Sequence, residues 1–196
     1  MTRAYASEQA LRHGDLLLVE LSCLSCLYIA SETQSRFSHS GLVMENPQGE
    51  LVVVESLGMV DHVSLEIFLG RAKSGSMTSV MRSPEQGVLD STEGKEKFWQ
   101  DYLENWRGLP FDREFLWDNQ NESREELLYC SEMITKFLAQ YLKDPPGKPK
   151  PMDYSRHLSF WRQYFRGEPP QGKLGNSPAS FANDPVWYQA FEIETP

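Results

Sequence analysis

The sequence predicts an α+β fold in which a small antiparallel sheet, or a half-barrel, packs against helices. Three observations predict it. Short apolar runs bounded by turn residues fill the chain from 14 to 84 and are typical of strands. Apolar residues recur at helical spacing in two later stretches, 98–106 and 133–142. Strands that precede interspersed helices, rather than alternate with them regularly, favour an α+β arrangement.

The first half of the chain contains the predicted strands. GDLLLV (14–19) predicts a turn followed by a buried strand, and the ambiguous SCLSCLYIASETQS (22–35) predicts a short helix. GLVMENPQGELVVVES (41–56) predicts a hairpin, because two apolar runs flank a polar turn that contains Pro and Gly. VDHVSL (60–65) alternates weakly, and TSVMRSP (78–84) predicts a short strand that its proline ends.

The second half contains the predicted helices. The run 98–106 predicts a helix, because its aromatic and apolar side chains recur every three or four positions and Gly108 follows as a natural end. The stretch 133–142 predicts a second helix, which the following DPP ends. YSRHLSFWRQYF (154–165) predicts a third helix, and VWYQAFEI near the end predicts a closing strand.

The length and composition suit one well-packed domain. The chain has 196 residues, of which 40% are hydrophobic and 12% aromatic, enough for a sizeable core. We therefore predict a single domain over 1–196. Its core spans about 14–142, a stiff Pro-rich connector covers 144–151, and a C-terminal extension occupies 152–196.

Charge and cysteine content narrow the class of protein. The net charge of −9, without a cluster of Lys and Arg, argues against a nucleic-acid partner. Glu20 interrupts the most apolar stretch, 16–30, which is shorter than the roughly 20 residues of a membrane-spanning helix. No signal-peptide cleavage pattern follows it. Three cysteines are too few, and odd in number, for a disulfide-stapled secreted domain, so we predict a reducing, cytoplasmic environment.

The segment YCSEMITKFL (129–138) places Cys130 where an amphipathic helix begins. One interpretation is a buried small side chain, since free cysteine is among the most buried residue types. The other is a nucleophile, because the positive end of the helix dipole stabilises a thiolate and lowers the pKa of the thiol. The segment alone leaves both interpretations open.

Two upstream polar residues are candidate partners of this cysteine. His39 stands in FSHSG at the edge of a predicted strand, and Glu55 ends the apolar run 51–54. If 41–56 is a hairpin, the two residues lie on antiparallel neighbours, where the carboxylate can hold the imidazole in one tautomer. A cysteine with a distant histidine and a polar orienting residue is typical of a thiol hydrolase. A surface histidine and the solvated end of a strand are the simpler alternatives.

Other chemistries have less support in the sequence. CLSC (23–26) has the form C-x-x-C, but without a second pair it is not a full zinc set, and we predict buried residues on a helix face. The four histidines show no metal-ligand spacing, and the scattered glycines form no phosphate loop. We therefore predict neither a metal nor a cofactor, and the oligomeric state is left open.

Five segments in chain order resemble the circularly permuted branch of the NlpC-type papain-like superfamily, and within it the YiiX-like proteins. These segments are GDLLLV, FSHSGLVM, VVVES, GLPFDREF and YCSEMITKFL. In that branch the histidine comes first, a polar residue follows on the next strand, and the cysteine comes last, at a helix start. The resemblance covers roughly residues 14–142 and depends on the order of the segments.

The resemblance implies a cysteine peptidase, amidase or esterase that attacks an amide or ester carbonyl through a thioester. It implies Cys130 as the nucleophile, His39 as general base and then acid, and Glu55 as the residue that orients His39. Members of the wider branch act on cell-wall peptides, lipids or acylated amino acids. The implied partner is therefore a small molecule, a peptide or an acyl group, without a closer identification.

Three further residues are implied as substrate contacts: Tyr129, Phe111 and Asp112, the last with a purely structural role as its alternative. Related proteins commonly carry Tyr where this chain has Phe111, and a missing oxyanion donor raises the barrier by roughly 3 kcal/mol. Two alternatives follow: a module that binds an acyl or peptide group without turnover, and a lipid acyltransferase that uses the same cysteine and histidine. A metal-dependent hydrolase is a third.

Overall fold

The computed structural model describes residues 11–195, so residues 1–10 and 196 of the predicted domain lie outside it. Its central element is a six-stranded antiparallel sheet that consists of β1 (Leu16–Val19), β2 (His39–Glu45), β3 (Leu51–Ser56), β4 (Val60–Ser64), β5 (Met77–Arg82) and β8 (Tyr188–Glu194). The order of the strands across the sheet is β4-β3-β2-β1-β5-β8. Two short strands, β6 (Lys150–Pro151) and β7 (Leu174–Gly175), pair with each other outside this sheet.

The helices lie between and after the strands, as the α+β prediction requires. They are α1 (Leu24–Glu32), α2 (Leu65–Gly70), α3 (Gln86–Leu89), α4 (Thr92–Asp101), α5 (Cys130–Leu138), α6 (Leu158–Phe165) and α7 (Pro178–Ala182). The aromatic run 98–106 does form a helix, but its last turn, Tyr102–Trp106, is π-helical. Both Tyr102 and Trp106 are buried at this wider turn, so the aromatic face of the helix still packs into the core.

The hairpin predicted over 41–56 is formed by β2 and β3, which pair over 42–45 and 51–54. Its turn is closed by Asn46, whose side-chain oxygen accepts two later main-chain N–H groups at 3.0 and 2.9 Å. Gly49 has a φ of +79°, a conformation that an L side chain rarely adopts. The Asn and Gly of this turn therefore set the register of the two strands.

Alternating side chains of β2 enter two separate cores. Leu42 and Met44 pack in the larger cluster, which includes the buried face of α5. Val43 points to the opposite face and packs in a second cluster with Phe68 of α2. The sheet therefore separates α2 from the helix that begins at Cys130.

β2 and β3 part at the end of the hairpin that is remote from its turn. Their pairing extends only to Leu42 and Val54, so residues 39–41 of β2 lie beyond the ladder with β3. The chain leading into α5 is fixed beside this opening, because the Ser56 hydroxyl donates to the carbonyl of Leu128 at 2.6 Å. The start of α5 is thereby held where the two strands diverge.

The segment 152–196, predicted as an extension, contributes to the fold over its described residues. β8 forms an edge of the main sheet by pairing with β5. The connector 144–151 is fastened to α5, because the Thr135 hydroxyl donates to the carbonyl of Pro146 at 2.8 Å. The first contact attaches the C-terminal part to the main sheet, and the second attaches the connector to the helix that begins at Cys130.

The prediction for CLSC is wrong for its first cysteine. Cys23 is exposed at the N-cap of α1, outside the helix, and only Cys26 is buried. The two are joined by a disulfide with an S–S distance of 2.07 Å, since the cap places Cys23 next to a residue of the first turn. The expectation of reduced cysteines therefore fails for this pair, and Cys130 is the remaining free thiol. Within residues 11–195, no helix has the length and apolarity needed to cross a bilayer.

Candidate active site

Cys130 is the first residue of α5, directly after Tyr129, whose extended backbone forms the N-cap. The helix forms here because Met133, Ile134 and Phe137 recur at helical spacing and are all buried. The main-chain N–H groups of the first turn have no acceptor within the helix, so they present partial positive charge to the cysteine. The thiol therefore lies where an anionic sulfur is stabilised.

His39 and Glu55 come together from the two diverging strands. Nε2 of His39 lies 2.6 Å from Oε2 of Glu55, and both side chains are almost completely buried. This contact leaves Nδ1 of His39 available to Cys130, and the two side chains are close enough for each to shift the pKa of the other. The three candidates proposed from the sequence therefore form one chain of contacts, from sulfur to imidazole to carboxylate.

Arg71 joins this chain and has no counterpart in the sequence predictions. Its guanidinium donates to Oε1 of Glu55, the carboxylate oxygen that His39 does not contact. Arg71 is the C-cap residue of α2, on the face of the sheet opposite α5. Nothing in the local pattern around residue 71 marks such a role, because the contact depends on how α2 folds back onto β3.

Burial opposes the ionised form of each of these side chains, but their contacts reverse its effect. Burial raises the pKa of Cys130, yet the charge of His39 and hydrogen bonds from His39 and Ser40 bring that pKa below the usual value. Burial lowers the pKa of His39, yet Cys130 and Glu55 raise it to about 9. Burial raises the pKa of Glu55, yet His39 and Arg71 hold it below its usual value. The site favours a thiolate, an imidazolium, a carboxylate and a guanidinium in alternation.

A cleft of about 330 Å³ opens beside Cys130. Much of its wall is aromatic or apolar, and most of this wall comes from the C-terminal part of the chain. The wall includes Phe115, Met152, Tyr154 and Trp161. Asn176 also lines it and is fixed by its side-chain NH₂, which donates to the carbonyls of Ser131 and Gly147 and to the hydroxyl of Thr135. None of the cleft residues after position 130 was predicted from the sequence as part of the site.

The three predicted substrate contacts occupy different positions. Tyr129 lines the cleft, and its hydroxyl accepts the main-chain N–H of Asn176 at 3.0 Å. Asp112 is completely buried and accepts the N–H groups of Glu114 and Leu116, so its contacts match the structural alternative. Phe111 is not part of the cleft wall, and its nearest aromatic neighbour is Phe115, at 6.3 Å between ring centroids.

Three carboxylates beside α5 form a group with the composition of a metal site. Asp118, Glu126 and Glu132 each bring an oxygen within 4.8 Å of the others. The ammonium of Lys136 lies between them, at 2.7, 2.5 and 2.9 Å respectively. Because a lysine cation takes the place that a metal ion needs, these residues do not fit a metal in this conformation.

The sequence profile of the family described as "Permuted papain-like amidase enzyme, YaeF/YiiX, C92 family" matches residues 10–191. The chain belongs to this family. The family and the permuted papain-like fold that five segments predicted are therefore confirmed, and the match continues well beyond residue 142. Membership also supports hydrolase activity at the level of the family.

One solved structure of similar fold is the crystal structure of metalloprotein yiiX from Escherichia coli O157:H7. The TM-score is 0.79 and the sequence identity is 21%, over 92% of this chain and 97% of that one. At this identity the likeness concerns the fold alone. No curated protein matches the chain by sequence.

Proposed function

We propose that the protein is a cysteine amidase in which Cys130 attacks a carbonyl carbon, His39 transfers protons and Glu55 orients His39. The observation that carries this proposal is the buried chain of contacts from Cys130 through His39 to Glu55, with its sulfur beside a cleft. Membership in an amidase family supports the reaction type. Nucleophile, base and orienting group then act as in other thiol hydrolases.

In the first half of the reaction, the thiolate of Cys130 forms a bond to the carbonyl carbon of the substrate, and the carbonyl π electrons move onto oxygen. The free N–H groups in the first turn of α5 are available as donors to this oxyanion. When the C–N bond breaks, the amine leaves with the proton of Nδ1 of His39. The products are a thioester on Cys130 and a neutral imidazole.

In the second half, water attacks the thioester while Nδ1 of His39 takes a proton from it. The C–S bond then breaks, the acid is released, and the thiolate and imidazolium of the resting enzyme are restored. Glu55 keeps its contact with Nε2 throughout, so it fixes the tautomer without itself taking up the proton. An acceptor other than water at this step gives acyl transfer, so the same site serves the acyltransferase alternative.

The wall of the cleft favours a substrate with an apolar part. Phe115, Tyr154 and Trp161 offer aromatic surface within a volume of about 330 Å³, which suits a small molecule, a short peptide end or an acyl group. The structurally similar yiiX is described as a metalloprotein. We do not propose a metal-dependent reaction for this chain, because Lys136 fills its acidic cluster.

A screen of peptide, acyl-amide and ester substrates tests the proposal, with Cys130→Ala and the double variant Cys23→Ser/Cys26→Ser as matched controls. We expect Cys130→Ala to lose roughly 10³-fold or more of kcat/KM, since the nucleophile is removed. The double variant keeps Cys130 and is expected to retain activity. Turnover that survives in Cys130→Ala contradicts the mechanism. A wild-type Cys130 that reacts with a thiol probe no faster than free cysteine, without turnover of any substrate, favours the binding module instead.

A further inference from the structure

Ser40 lies on β2 directly after His39, and its side chain points to the other face of the sheet. Side chains alternate along a strand, so Ser40 shares the face of Leu42 and Met44. Those two residues pack in the cluster that contains the buried residues of α5. His39 lies in phase with Val43, on the face that contains Phe68, and its ring contacts that phenyl ring at 5.7 Å. Ser40 is therefore directed towards the helix that begins at Cys130.

The hydroxyl of Ser40 is buried and has no hydrogen-bond partner among residues 11–195. Ser40 is 0% exposed, and its Oγ neither donates nor accepts a hydrogen bond within these residues. A buried hydroxyl without a partner is unfavourable, so a structure that keeps one calls for an explanation. Cys130 is the ionisable group beside it, because the hydroxyl and the main-chain N–H of Ser40 both lower the pKa of the Cys130 thiol.

The divergence of β2 and β3 explains how a strand residue reaches the sulfur. Pairing between β2 and β3 stops at Leu42, so β3 does not pair with the main chain of Ser40. The start of α5 occupies this place, with Leu128 tied to Ser56 of β3. The sulfur therefore lies between the imidazole of His39 and the donors of Ser40.

We propose that Ser40 is a further catalytic residue, which holds the Cys130 thiolate by donating from its hydroxyl and from its main-chain N–H. This inference rests on the proposed thiol mechanism. Ser40 keeps its proton: it stabilises the negative charge on sulfur before attack and releases the sulfur when the bond to the carbonyl carbon forms. Hydrogen bonds to a charged group are among the stronger ones in proteins, so the hydroxyl raises the thiolate fraction at neutral pH.

The test is the pH dependence of alkylation of Cys130 by iodoacetamide, measured between pH 5 and 10 for wild type, Ser40→Ala and Ser40→Gly. We expect both variants to react roughly tenfold more slowly than wild type near pH 6, where less thiolate is present. Above the thiol pKa of every protein, the rates should converge, because each cysteine is then fully ionised. A general packing fault would instead leave the midpoint of the profile unchanged.

Thr78→Val is the matched control. Thr78 lies on β5, is 0% exposed, and has a buried hydroxyl that likewise forms no hydrogen bond within residues 11–195. Its profile should coincide with that of wild type. If wild-type Cys130 is reactive and Ser40→Ala and Ser40→Gly have the same pH profile as wild type, the role of Ser40 is overturned. The thiol mechanism is then left intact. A wild-type Cys130 no more reactive than free cysteine overturns both.

Discussion

Helix α5 carries two ionic networks that use similar residues to different ends. The first network lies at the start of the helix and runs through space from Cys130 to His39, Glu55 and Arg71. Negative and positive charges alternate along it. Nearly two turns further along, Lys136 is surrounded by three carboxylates from α5 and from the loop that precedes it. The first network ends on a sulfur beside the cleft, whereas the second closes on itself around one ammonium.

This difference shows that a perturbed pKa does not by itself mark a reactive group. Burial raises the pKa of Glu132 to about 7, against the contacts with Lys136 that lower it. The pKa of that carboxyl is therefore shifted like the pKa values in the first network, yet its hydrogen-bond and ion-pair contacts among residues 11–195 include no nucleophile. In the second network the pKa shifts accompany contacts that hold the loop before α5 in place. For example, the main-chain N–H of Asp118 donates to the Glu132 carboxylate at 3.0 Å. Geometry at the cleft, and not the pKa, separates the two networks.

The largest expected effect comes from removing the imidazole of the first network. His39→Ala should lower kcat/KM roughly 10²–10⁴-fold, because no other side chain in the chain of contacts can move a proton to the leaving amine. The thermal midpoint should change much less than the activity. His62→Ala is the control, since that histidine lies on β4 and contacts the hydroxyl of Tyr102 at 2.8 Å. Equal losses in both variants would argue against a specific role for His39.

Breaking the second network should instead reduce stability. Lys136→Met leaves three carboxylates without their cation, and we expect the free energy of unfolding in urea to fall by roughly 3 kcal/mol at pH 8. The loss should be smaller at pH 5, where Glu132, with its pKa of about 7, is protonated in the folded protein. Lys148→Met, which breaks an exposed pair, should change stability by less than about 1 kcal/mol. A loss that does not depend on pH would contradict this account.

The sequence was informative where function requires local patterns. The amphipathic spacing after Cys130 predicts α5, and the Pro and Gly of the turn predict the hairpin that carries His39 and Glu55. The order of these segments predicts the family, which the profile match confirms. Periodicity and turn chemistry are properties of neighbouring residues, so they can be read without the fold.

The remainder depends on contacts between distant elements. Arg71, Ser40 and the cleft residues after position 150 meet Cys130 or its partners only through the packing of α2, β2 and the C-terminal part. The pairing of Cys23 with Cys26 was missed for another reason: three cysteines favoured reduced thiols, and the cap position of the first was not anticipated. The number of cysteines therefore determined the prediction, although the C-x-x-C spacing permits a disulfide within the motif.

A smaller effect, with a distinct pH signature, is expected at the outer end of the first network. Arg71→Met removes the cation that, with His39, holds the pKa of Glu55 below its usual value despite burial. Glu55 should then become protonated at a higher pH, so His39 loses its acceptor earlier as pH falls. We expect kcat/KM to drop roughly tenfold at pH 5 and only a few-fold at pH 8. Lys73→Met, which breaks a surface pair with Glu20, should leave the profile unchanged, and a uniform loss for Arg71→Met would contradict the prediction.

The smallest effect is expected at Phe111, on the loop that precedes α5. Phe111→Tyr introduces the hydroxyl that the resemblance implies at this position, but the side chain does not line the cleft, and free N–H groups of α5 are available to the oxyanion. We therefore expect kcat/KM to stay within about twofold of wild type, whereas a donor that reaches the oxyanion is worth roughly 10²–10³-fold. A rise of tenfold or more in kcat, with KM unchanged, would show that the loop moves Phe111 into the site during turnover. The first network would then include this loop, and the separation between a reactive and a purely structural network on α5 would no longer hold.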